Sequence, residues 1–463
     1  MKILHYSLGL PPFRSGGLTK YSLDLMKAQV QQNEQVSLLY PGHYNISKNT
    51  KIISNKKKYG INVYELVNPL PIPLLGGIKN PKLFYQEVDK NIYYNFLNNN
   101  KPDIIHIHTL MGIHKEFIDA ANELNIKTIF TTHDYFGICP KVNMINHNGK
   151  LCENTNDFNK CITCNKNGFG LNKIKVMQSL TYRKVKELGL INQLKKIKKI
   201  KNTNKPINEV TNQDNNEVNI NNQILLEEYI SLNNYYMSML EKIDYIHFNS
   251  SITKDIYSKY KIKKGEVLNI SHSDIRDNRK TKKITIEEKP LNIGYMGDIL
   301  DYKGFFKLKE SLDTLLEQGI NNWKLNIYGN STTPIYNKEY YDLHGKYSYS
   351  DLDNIFENID VLIIPSICKE TFGFIGLEAL SYGVPTIVSN NVGFKDIVIE
   401  NNCGIVFDID SDELINIIKD IVNDRSILKN INKNILSLDF NYTIKNHEND
   451  IKKLYKRIIE GRI

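Results

Sequence analysis

The stretch IDVLIIPSICKETFGFIGLEALSYGVPTIVS, residues 359 to 389, contains the pattern that decides the fold. Its first apolar run ends at Ser366 and predicts a buried strand, and VPTIVS predicts the next one. Between them, a short loop holds Glu370, and a helix is predicted to begin near Thr371 to Gly373. A strand, a helix and a further strand in this order are typical of a parallel α/β sheet.

Units of the same kind occur on both sides of this stretch. In the first 140 residues, apolar runs predict strands at Lys2 to Tyr6, Gln35 to Tyr40, Ile104 to His108 and Ile126 to Thr132, with a helix over Gly17 to Gln31. A second series begins with LNIGYMGD at Leu291. The chain has 463 residues, whereas single cores stop growing beyond about 250 to 300 residues. We therefore expect two α/β domains, linked near residues 274 to 289.

The charge of the chain is concentrated in one segment. Sixty Lys and Arg against 51 Asp and Glu give a formal net charge of +9. The segment from Leu171 to Lys201 has ten basic residues and one acidic residue, Glu187, so the rest of the chain is neutral. This segment lies in an insert at about residues 165 to 240. It is interpreted either as a solvated helical arm or as an arm that lies on an anionic membrane.

Several protein classes are excluded or disfavoured. No apolar run reaches the roughly 18 residues of a membrane span. The N-terminal stretch MKILHYSLGL is a strand-like run without a charged leader or a small-residue cleavage site. We therefore expect a cytosolic chain. Nucleic acid is not an expected partner, because only Tyr182 interrupts the basic segment with an aromatic ring. The chain lacks GxGxxG and Walker spacings, which argues against dinucleotide and P-loop enzymes.

Four short motifs follow predicted strands and therefore fall at the ligand-binding edge of a parallel sheet. Glu370 and Glu378 flank the start of a helix whose backbone N–H groups could bind an anion. Gly16 and Gly17 allow a phosphate or sugar to approach the backbone. The others are His133 in FTTHDYFG and Lys303 in GYMGDILDYKGF. Taken singly, each has an ordinary structural explanation: solvated glutamates, a turn, a structural histidine and a surface lysine.

A cysteine cluster needs a separate explanation. Cys139, Cys152, Cys161 and Cys164 form C-x12-C-x8-C-x2-C. The C-x2-C pair suits a thiolate metal knuckle, and four thiolates favour a structural zinc ion. Four free thiols in an irregular loop are the alternative, and an iron–sulfur cluster is a third interpretation.

Taken together, these motifs resemble the family 4 retaining glycosyltransferases of the GT-B fold. The resemblance covers nearly the whole chain except the insert. It rests on the E-x7-E element from Glu370 to Glu378, the GG pair, DIIHIH before THD, KG at Lys303 and Gly304, and LHGKYSYSDLDNIFENIDVLIIPS. It implies two Rossmann-like domains that face across a cleft. These are an acceptor-side domain (1–280) with the helical basic insert, and a nucleotide-sugar-binding domain (290–440). A C-terminal helix within 441–463 is expected to pack back on the first domain.

The resemblance also implies roles for the site residues. Glu370 is expected to contact the donor-sugar hydroxyls and Glu378 the ribose. Lys303 and the backbone amides that follow Glu370 would hold the diphosphate, with the backbone from Gly345 to Tyr347 near the base. The implied catalytic residues are His133, Glu370 and Lys303, and the implied donor-binding residues are Gly16, Gly17, Phe372, Gly373, Phe374 and Glu378.

The implied reaction transfers a hexose, with retention of configuration, from a UDP- or GDP-sugar to a hydroxyl of a glycan or glycolipid acceptor. It would serve cell-envelope or capsular polysaccharide synthesis in the cytoplasm, at the inner face of the plasma membrane, without a catalytic metal. One departure favours a different function. Where many relatives carry Arg, this chain has Asp298, with Lys395 or Arg14 as candidate substitutes. The alternative is a catalytically silent GT-B protein that binds a nucleotide sugar or a partner glycosyltransferase.

Overall fold

The computed structural model describes residues 1–45, 47, 49–73, 76–153, 157–189, 215–330 and 339–462, without the side chains of residues 215–220. The chain divides into two compact units. Unit 1 comprises Met1–Val142, Asn154–His247 and Lys452–Ile463, and unit 2 comprises Asn143–Glu153 and Phe248–Ile451. The link expected from the sequence near residues 274 to 289 lies inside the second range of unit 2, which starts at Phe248. Within this unit, Ser251 donates its backbone N–H to Asp396 Oδ2 at 2.6 Å.

The first sheet has eight strands in the order β3-β4-β2-β1-β5-β6-β7-β8. They are β1 Lys2–Tyr6, β2 Gln35–Pro41, β3 Lys51–Lys58, β4 Ile61–Val67, β5 Ile104–Ile107, β6 Lys127–Thr131, β7 Tyr245–Phe248 and β8 Gly265–Val267. The strands from β4 to β7 in this order pair in parallel, whereas β3 pairs antiparallel with β4. The sequence missed the β3–β4 hairpin, because the lysine-rich edge strand KIISNKKK lacks a continuous apolar run.

Helices precede, connect and follow these strands. Those before β7 are α1 Gly17–Gln31, α2 Asn91–Asn100, α3 Lys115–Glu123, α4 Phe158–Asn165, α5 Leu171–Met177, α6 Leu180–Glu187 and α7 Asn215–Lys242. The predicted helix Gly17 to Gln31 has the observed bounds of α1. No helix in the described part of the chain is long and apolar enough to cross a membrane.

The second sheet has six parallel strands in the order β11-β10-β9-β12-β13-β14. They are β9 Leu291–Met296, β10 Trp323–Tyr328, β11 Tyr341–Gly345, β12 Val361–Ile364, β13 Thr386–Ser389 and β14 Gly404–Phe407. All residues of β12 and β13 are buried, as expected for strands covered on both faces. The α/β class with two parallel-rich sheets is therefore confirmed.

The remaining helices are α8 Ser251–Lys259, α9 Phe305–Glu317, α10 Leu352–Asn358, α11 Phe374–Ser381, α12 Lys395–Asn401, α13 Glu413–Asn423, α14 Ser426–Ser437 and α15 Ile444–Ile459. The end of α15, from Lys452, belongs to unit 1. There Tyr455 is fully buried, and its hydroxyl lies 2.5 Å from His106 Nδ1 on β5.

The parallel strands of each sheet reverse their order at one place. β1 lies between β2 and β5, and β9 lies between β10 and β12. In open parallel sheets, ligands bind beyond the carboxyl ends of the strands at such a reversal. The loops after β1, β9 and β12 are therefore the ones that the topology places at ligand sites.

The insert is anchored to unit 1 by a buried ion pair. Arg183 on α6 lies 2.9 Å from Glu65 Oε1 on β4 through Nη2, and 3.2 Å from Oε2 through Nη1. Glu65 also accepts hydrogen bonds from the Tyr40 hydroxyl and the His43 backbone N–H. Burial alone would raise the pKa of Glu65, but Arg183 first, and then the side chains of His43 and Asn55, lower it to about 2. Part of the basic segment therefore packs against the domain instead of facing solvent.

We expect Arg183→Met to lower the free energy of unfolding by about 3 kcal/mol, because it leaves a buried carboxylate without its cation. The control Lys184→Met, at an exposed position on the same helix, should change the free energy of unfolding by less than about 0.5 kcal/mol. Because the pKa of Glu65 is depressed in the folded state, the pair stabilises above the carboxyl's ordinary pKa of 4.5 and loses its effect as the pH falls toward about 2. Urea unfolding of the wild type and the two variants measures these free energies. The prediction would be contradicted if the loss of unfolding free energy in Arg183→Met did not shrink between pH 4.5 and 2.

Candidate functional site

The loop between β12 and α11 holds Glu370 in a fixed position. The Glu370 backbone N–H donates to Asn391 O at 2.8 Å, and its carbonyl accepts from Gly393 N–H at 3.0 Å. Its side-chain oxygen Oε1 accepts a hydrogen bond from Ser366 Oγ at the end of the strand. Both backbone groups and the carboxylate are therefore held, which presets the direction of the side chain.

Lys303, in the loop after β9, contacts the same carboxylate. Its Nζ lies 2.9 Å from Glu370 Oε1. Burial alone would lower the pKa of Lys303, but the charge of Glu370 raises it, so the ammonium stays charged. Burial would in turn raise the pKa of Glu370, but Lys303 lowers it and keeps the carboxylate ionised. The structure thus brings together two of the predicted catalytic residues as a charged pair.

The approach of these loops depends on Gly304. Its φ is 74°, a left-handed conformation, and a Cβ atom there would lie 1.6 Å from the carbonyl oxygen of Pro365. Pro365 comes directly after β12. Only glycine allows the Lys303 loop to come this close to the strand that leads to Glu370.

Glu378 lies on α11 and is 4% exposed. Its Oε1 is 3.1 Å from His272 Nε2. Because His272 Nδ1 accepts the backbone N–H of Asp274 at 3.3 Å, Nε2 carries the hydrogen and donates it to Glu378. The His272 ring also packs edge-on against Phe374 at 5.0 Å between ring centroids. Sequence reasoning missed His272, because a histidine more than 100 residues upstream of Glu378 carries no local motif.

The backbone before α11 supplies amide groups. Gly373 caps the helix with a φ of 97° and no side-chain hydrogen bond. A Cβ atom there would lie 2.6 Å from Val392 Cγ1. Phe374 and Ile375 start the helix, where N–H groups lack intrahelical acceptors, whereas the N–H of Gly376 donates to Gly373 O at 3.0 Å. Phe372 is buried, and its ring lies edge-on to that of Phe374, with 5.4 Å between centroids.

Asp298, the departure from the resembled pattern, is exposed at the end of β9. Its Oδ1 accepts Asn330 Nδ2 at 2.9 Å. Of the two candidate substitutes, Lys395 donates from Nζ to Asn390 O at 3.1 Å. Arg14, in unit 1, buries Nε and Nη2 without a hydrogen-bond partner among the described residues. Burial lowers the pKa of Arg14 to about 10.

Unit 1 carries the other predicted site residues. Gly16 caps α1 with a φ of 108° and no side-chain hydrogen bond, and no atom lies within 4 Å of the place a Cβ would occupy. Gly16 and Gly17 are exposed, so the backbone of this loop is accessible. His133 follows β6, and its ring packs against Tyr21 with 4.7 Å between centroids. Burial lowers the pKa of His133 to about 3, so the imidazole is neutral at physiological pH.

Among the described residues, one group of three His, Cys or acidic side chains brings its ligand atoms within 4.8 Å of one another. It consists of His5, His106 and His108. The four cysteines of the predicted zinc site lie in other segments of the chain. Cys161 and Cys164 lie on α4, and Cys139 and Cys152 belong to different units. The zinc site at the cysteines stays a prediction.

The arrangement in unit 2 can bind a charged, hydroxyl-rich ligand. A fixed carboxylate can accept hydroxyl hydrogens, an ammonium can contact a phosphate, and uncapped amides at a helix start favour an anion. Comparisons with known proteins agree with this chemistry. Residues 276–437 match the family model for glycosyl transferases group 1, and residues 15–150 match that for Glycosyltransferase Family 4. The chain belongs to the family 4 glycosyltransferases and has the GT-B fold.

Two curated relatives match part of the chain. An uncharacterized 41.2 kDa protein in the cps region of Klebsiella pneumoniae is 26% identical over 131 residues, 28% of this chain and 36% of the relative. The capsular polysaccharide biosynthesis glycosyltransferase CapM of Staphylococcus aureus is 28% identical over 151 residues, 31% of this chain and 39% of the relative. The match thus spans less than two fifths of either relative.

Solved structures show the same fold over almost the whole chain. Sucrose-phosphate synthase from Thermosynechococcus elongatus has a TM-score of 0.52 at 13% identity, covering 99% of both chains. HepE from Anabaena, in complex with UDP, has a TM-score of 0.54 at 13% identity, covering 98% of this chain and 100% of its own. WaaG, a glycosyltransferase involved in lipopolysaccharide biosynthesis, has a TM-score of 0.51 at 12% identity, covering 99% of this chain and 100% of its own.

The contact between Gly304 and Pro365 can be tested with a matched pair of glycines. Gly319 has a φ of 76°, close to the 74° of Gly304, but has open space around its Cβ position. Gly319→Ala should therefore cost about 1 kcal/mol of unfolding free energy for the left-handed backbone alone. Gly304→Ala should cost about 1 to 3 kcal/mol more, because the methyl group collides with a backbone carbonyl. Equal costs in urea unfolding would show that the Lys303 loop does not need this close approach.

Proposed function

We propose that this protein is a retaining hexosyltransferase that moves a sugar from a nucleotide-diphosphate donor to an acceptor hydroxyl during capsular or envelope polysaccharide synthesis. The observation that carries the proposal is the charged pair of Lys303 and Glu370 beside the uncapped start of α11. The pair combines a cation for a diphosphate with a carboxylate for sugar hydroxyls.

The chemistry follows from where charge develops. As the glycosidic bond of the donor breaks, negative charge grows on the leaving diphosphate. A cation and amide donors already in place stabilise that charge more in the transition state than in the ground state. We assign Lys303 and the backbone from Phe372 to Phe374 to the diphosphate. No step of this assignment requires a metal ion.

We assign the two glutamates to opposite ends of the donor. Glu370, held by Ser366 and Lys303, accepts hydrogen bonds from the sugar hydroxyls. Glu378 accepts hydrogen bonds from the ribose hydroxyls. The hydrogen bond from His272 Nε2 to Glu378 Oε1 at 3.1 Å holds the carboxylate in place for this contact. Burial raises the pKa of Tyr347, and the nearby charge of Glu378 raises it further. We therefore place the base near Tyr347.

The comparisons support the donor and pathway parts of the proposal. HepE, which shares the fold, is described in complex with UDP, which favours UDP over GDP as the first donor to test. CapM is a capsular polysaccharide biosynthesis glycosyltransferase, which supports a polysaccharide acceptor. The catalytically silent alternative rests on Asp298, but the Lys303–Glu370 pair is intact.

We expect Lys303→Met to lower kcat by about 10²- to 10³-fold, the effect of removing one donor from a developing oxyanion. Glu370→Gln should lower kcat/KM, because it weakens sugar binding and removes the anionic partner of Lys303. The control Lys433→Met is at an exposed position on α14 and should retain full activity. Turnover of UDP- and GDP-sugars measures these effects, and NMR of the anomeric proton in the product reports retention.

Three results would contradict the proposal. Wild-type protein that binds a nucleotide sugar but neither hydrolyses nor transfers it would favour the silent alternative. Full activity of Lys303→Met would remove Lys303 from the reaction. A product of inverted configuration would exclude the retaining mechanism.

We further propose that the basic insert places the enzyme at an anionic membrane, where a lipid-linked acceptor is available. Three apolar side chains of α5, α6 and the residue that follows α6 are exposed: Val176 by 62%, Leu180 by 46% and Leu188 by 71%. They alternate with lysines of the same segment. Apolar side chains among cations are the composition that binds an anionic interface. Residues 190–201 of the segment lie outside the described residues.

Replacing Val176, Leu180 and Leu188 together by Ser should reduce flotation with phosphatidylglycerol vesicles, because apolar insertion is lost while the charge is kept. The control Ile399→Ser changes an exposed apolar residue of unit 2, which is 61% exposed. It should leave flotation unchanged. Equal flotation of all proteins, or equal binding to phosphatidylcholine vesicles, would contradict membrane binding by this segment.

A further inference from the structure

In unit 1, a chain of side-chain hydrogen bonds leads from α1 to the predicted site residue His133. Gln29 Oε1 lies 2.7 Å from His5 Nε2. His5 Nδ1 lies 2.9 Å from His108 Nε2. His108 Nδ1 then lies 3.4 Å from His133 Nε2. His5 and His108 are fully buried, so water cannot take the place of a partner in the middle of this chain.

All three imidazoles are neutral at physiological pH. Burial lowers the pKa of His5 to about 4 and that of His133 to about 3, and it lowers the pKa of His108 well below its ordinary value. A neutral imidazole has one N–H donor and one nitrogen lone pair. A ring that uses both nitrogens in hydrogen bonds therefore donates through one and accepts through the other. The direction of the first hydrogen bond consequently determines all that follow.

We propose that the side-chain amide of Gln29 sets the tautomer of His133. An amide oxygen only accepts, so His5 Nε2 must carry the hydrogen, and His5 Nδ1 accepts from His108 Nε2. By the same reasoning His108 Nδ1 accepts from His133 Nε2. His133 therefore carries its hydrogen on Nε2, and its lone pair lies on Nδ1. Gln29, His5 and His108 are positioning residues that act through one another.

The Gln29 amide also contacts the C-terminal helix. Gln29 Nε2 donates to the Tyr455 hydroxyl at 3.4 Å, and the oxygen of that hydroxyl lies 2.5 Å from His106 Nδ1. A flipped amide would present an N–H to His5 and reverse every hydrogen bond as far as His133. Tyr455, more than 400 residues away in sequence, therefore takes part in setting the proton position on His133.

A metal ion is the competing explanation for this cluster, because His5, His106 and His108 bring ligand atoms within 4.8 Å of one another. Hydrogen bonds account for both nitrogens of His5 and of His108. They also account for both nitrogens of His106, which contacts Tyr455 and Thr131 Oγ1, the latter at 2.6 Å. The hydrogen-bond chain therefore explains the geometry without a metal.

The tautomer has a consequence for catalysis, which rests on the proposed function. With the hydrogen on Nε2 donated to His108, the His133 ring has its lone pair at Nδ1. At that nitrogen it accepts a hydrogen bond from a hydroxyl and cannot donate one to a developing oxyanion.

The test is long-range ¹H–¹⁵N NMR of the full chain labelled at histidine, with His133→Asn to assign the signal. Wild-type His133 should be protonated at Nε2 and unprotonated at Nδ1. Gln29→Leu should produce a second signal with Nδ1 protonated, because His5 loses the acceptor that fixed its direction. Gln31→Leu makes the same change at an exposed position of α1 and should leave the tautomer unchanged.

Tyr455→Phe keeps the contact between Gln29 and His5 but frees the amide to turn, so it should also give two tautomers. A wild-type His133 protonated at Nδ1, or one tautomer in both Gln29→Leu and Tyr455→Phe, would overturn the proposal. Nitrogen shifts that respond to added Zn²⁺ and revert with chelator would favour the metal explanation and also overturn it. These readouts need no sugar transfer, so absence of activity with the expected tautomers would count against the proposed function alone.

Discussion

The geometry of parallel strands is the constraint on which both units depend. Parallel strands that are buried on both faces must connect through helices, so all their carboxyl ends point to one edge. In unit 2, the loops after β9 and β12 meet at the reversal of strand order, and they carry Lys303 and Glu370. In unit 1, the glycine loop follows β1 at the equivalent reversal. A few residues at strand ends can therefore define a site, although they are far apart in sequence.

In the site of unit 2, each of the two glutamates is paired with a nitrogen donor. Glu370 is paired with Lys303, and Glu378 accepts a hydrogen bond from the buried ring of His272. Each contact keeps a carboxylate ionised or directed in a partly buried place, where an unpaired charge would be costly. A diphosphate that reaches Lys303 would add a second anion beside Glu370. The ammonium, whose pKa is raised, remains charged for that role.

The basic segment has two distinct kinds of surface. Arg183 and Lys186 face the domain, where Arg183 pairs with Glu65 and Lys186 Nζ donates to Phe13 O at 2.8 Å. Val176, Leu180 and Leu188 face outward. The basic segment that carries the net charge of +9 is therefore not only a solvated arm. Two of its cations, Arg183 and Lys186, anchor the insert to unit 1.

The amino-acid sequence determined the alternation of strands and helices, because continuous apolar runs and helical periodicity are local patterns. It also determined that Glu370 and Lys303 lie in loops after strands and that Glu378 lies on the helix that follows Glu370. It missed the lysine-rich β3–β4 hairpin, where pairing rather than hydrophobicity defines the edge strand. Only the tertiary structure decided which side chains meet. Gln29 with Tyr455 and His272 with Glu378 are separated by 426 and 106 residues, and contacts at such distances depend on how the chain folds back and leave no local pattern.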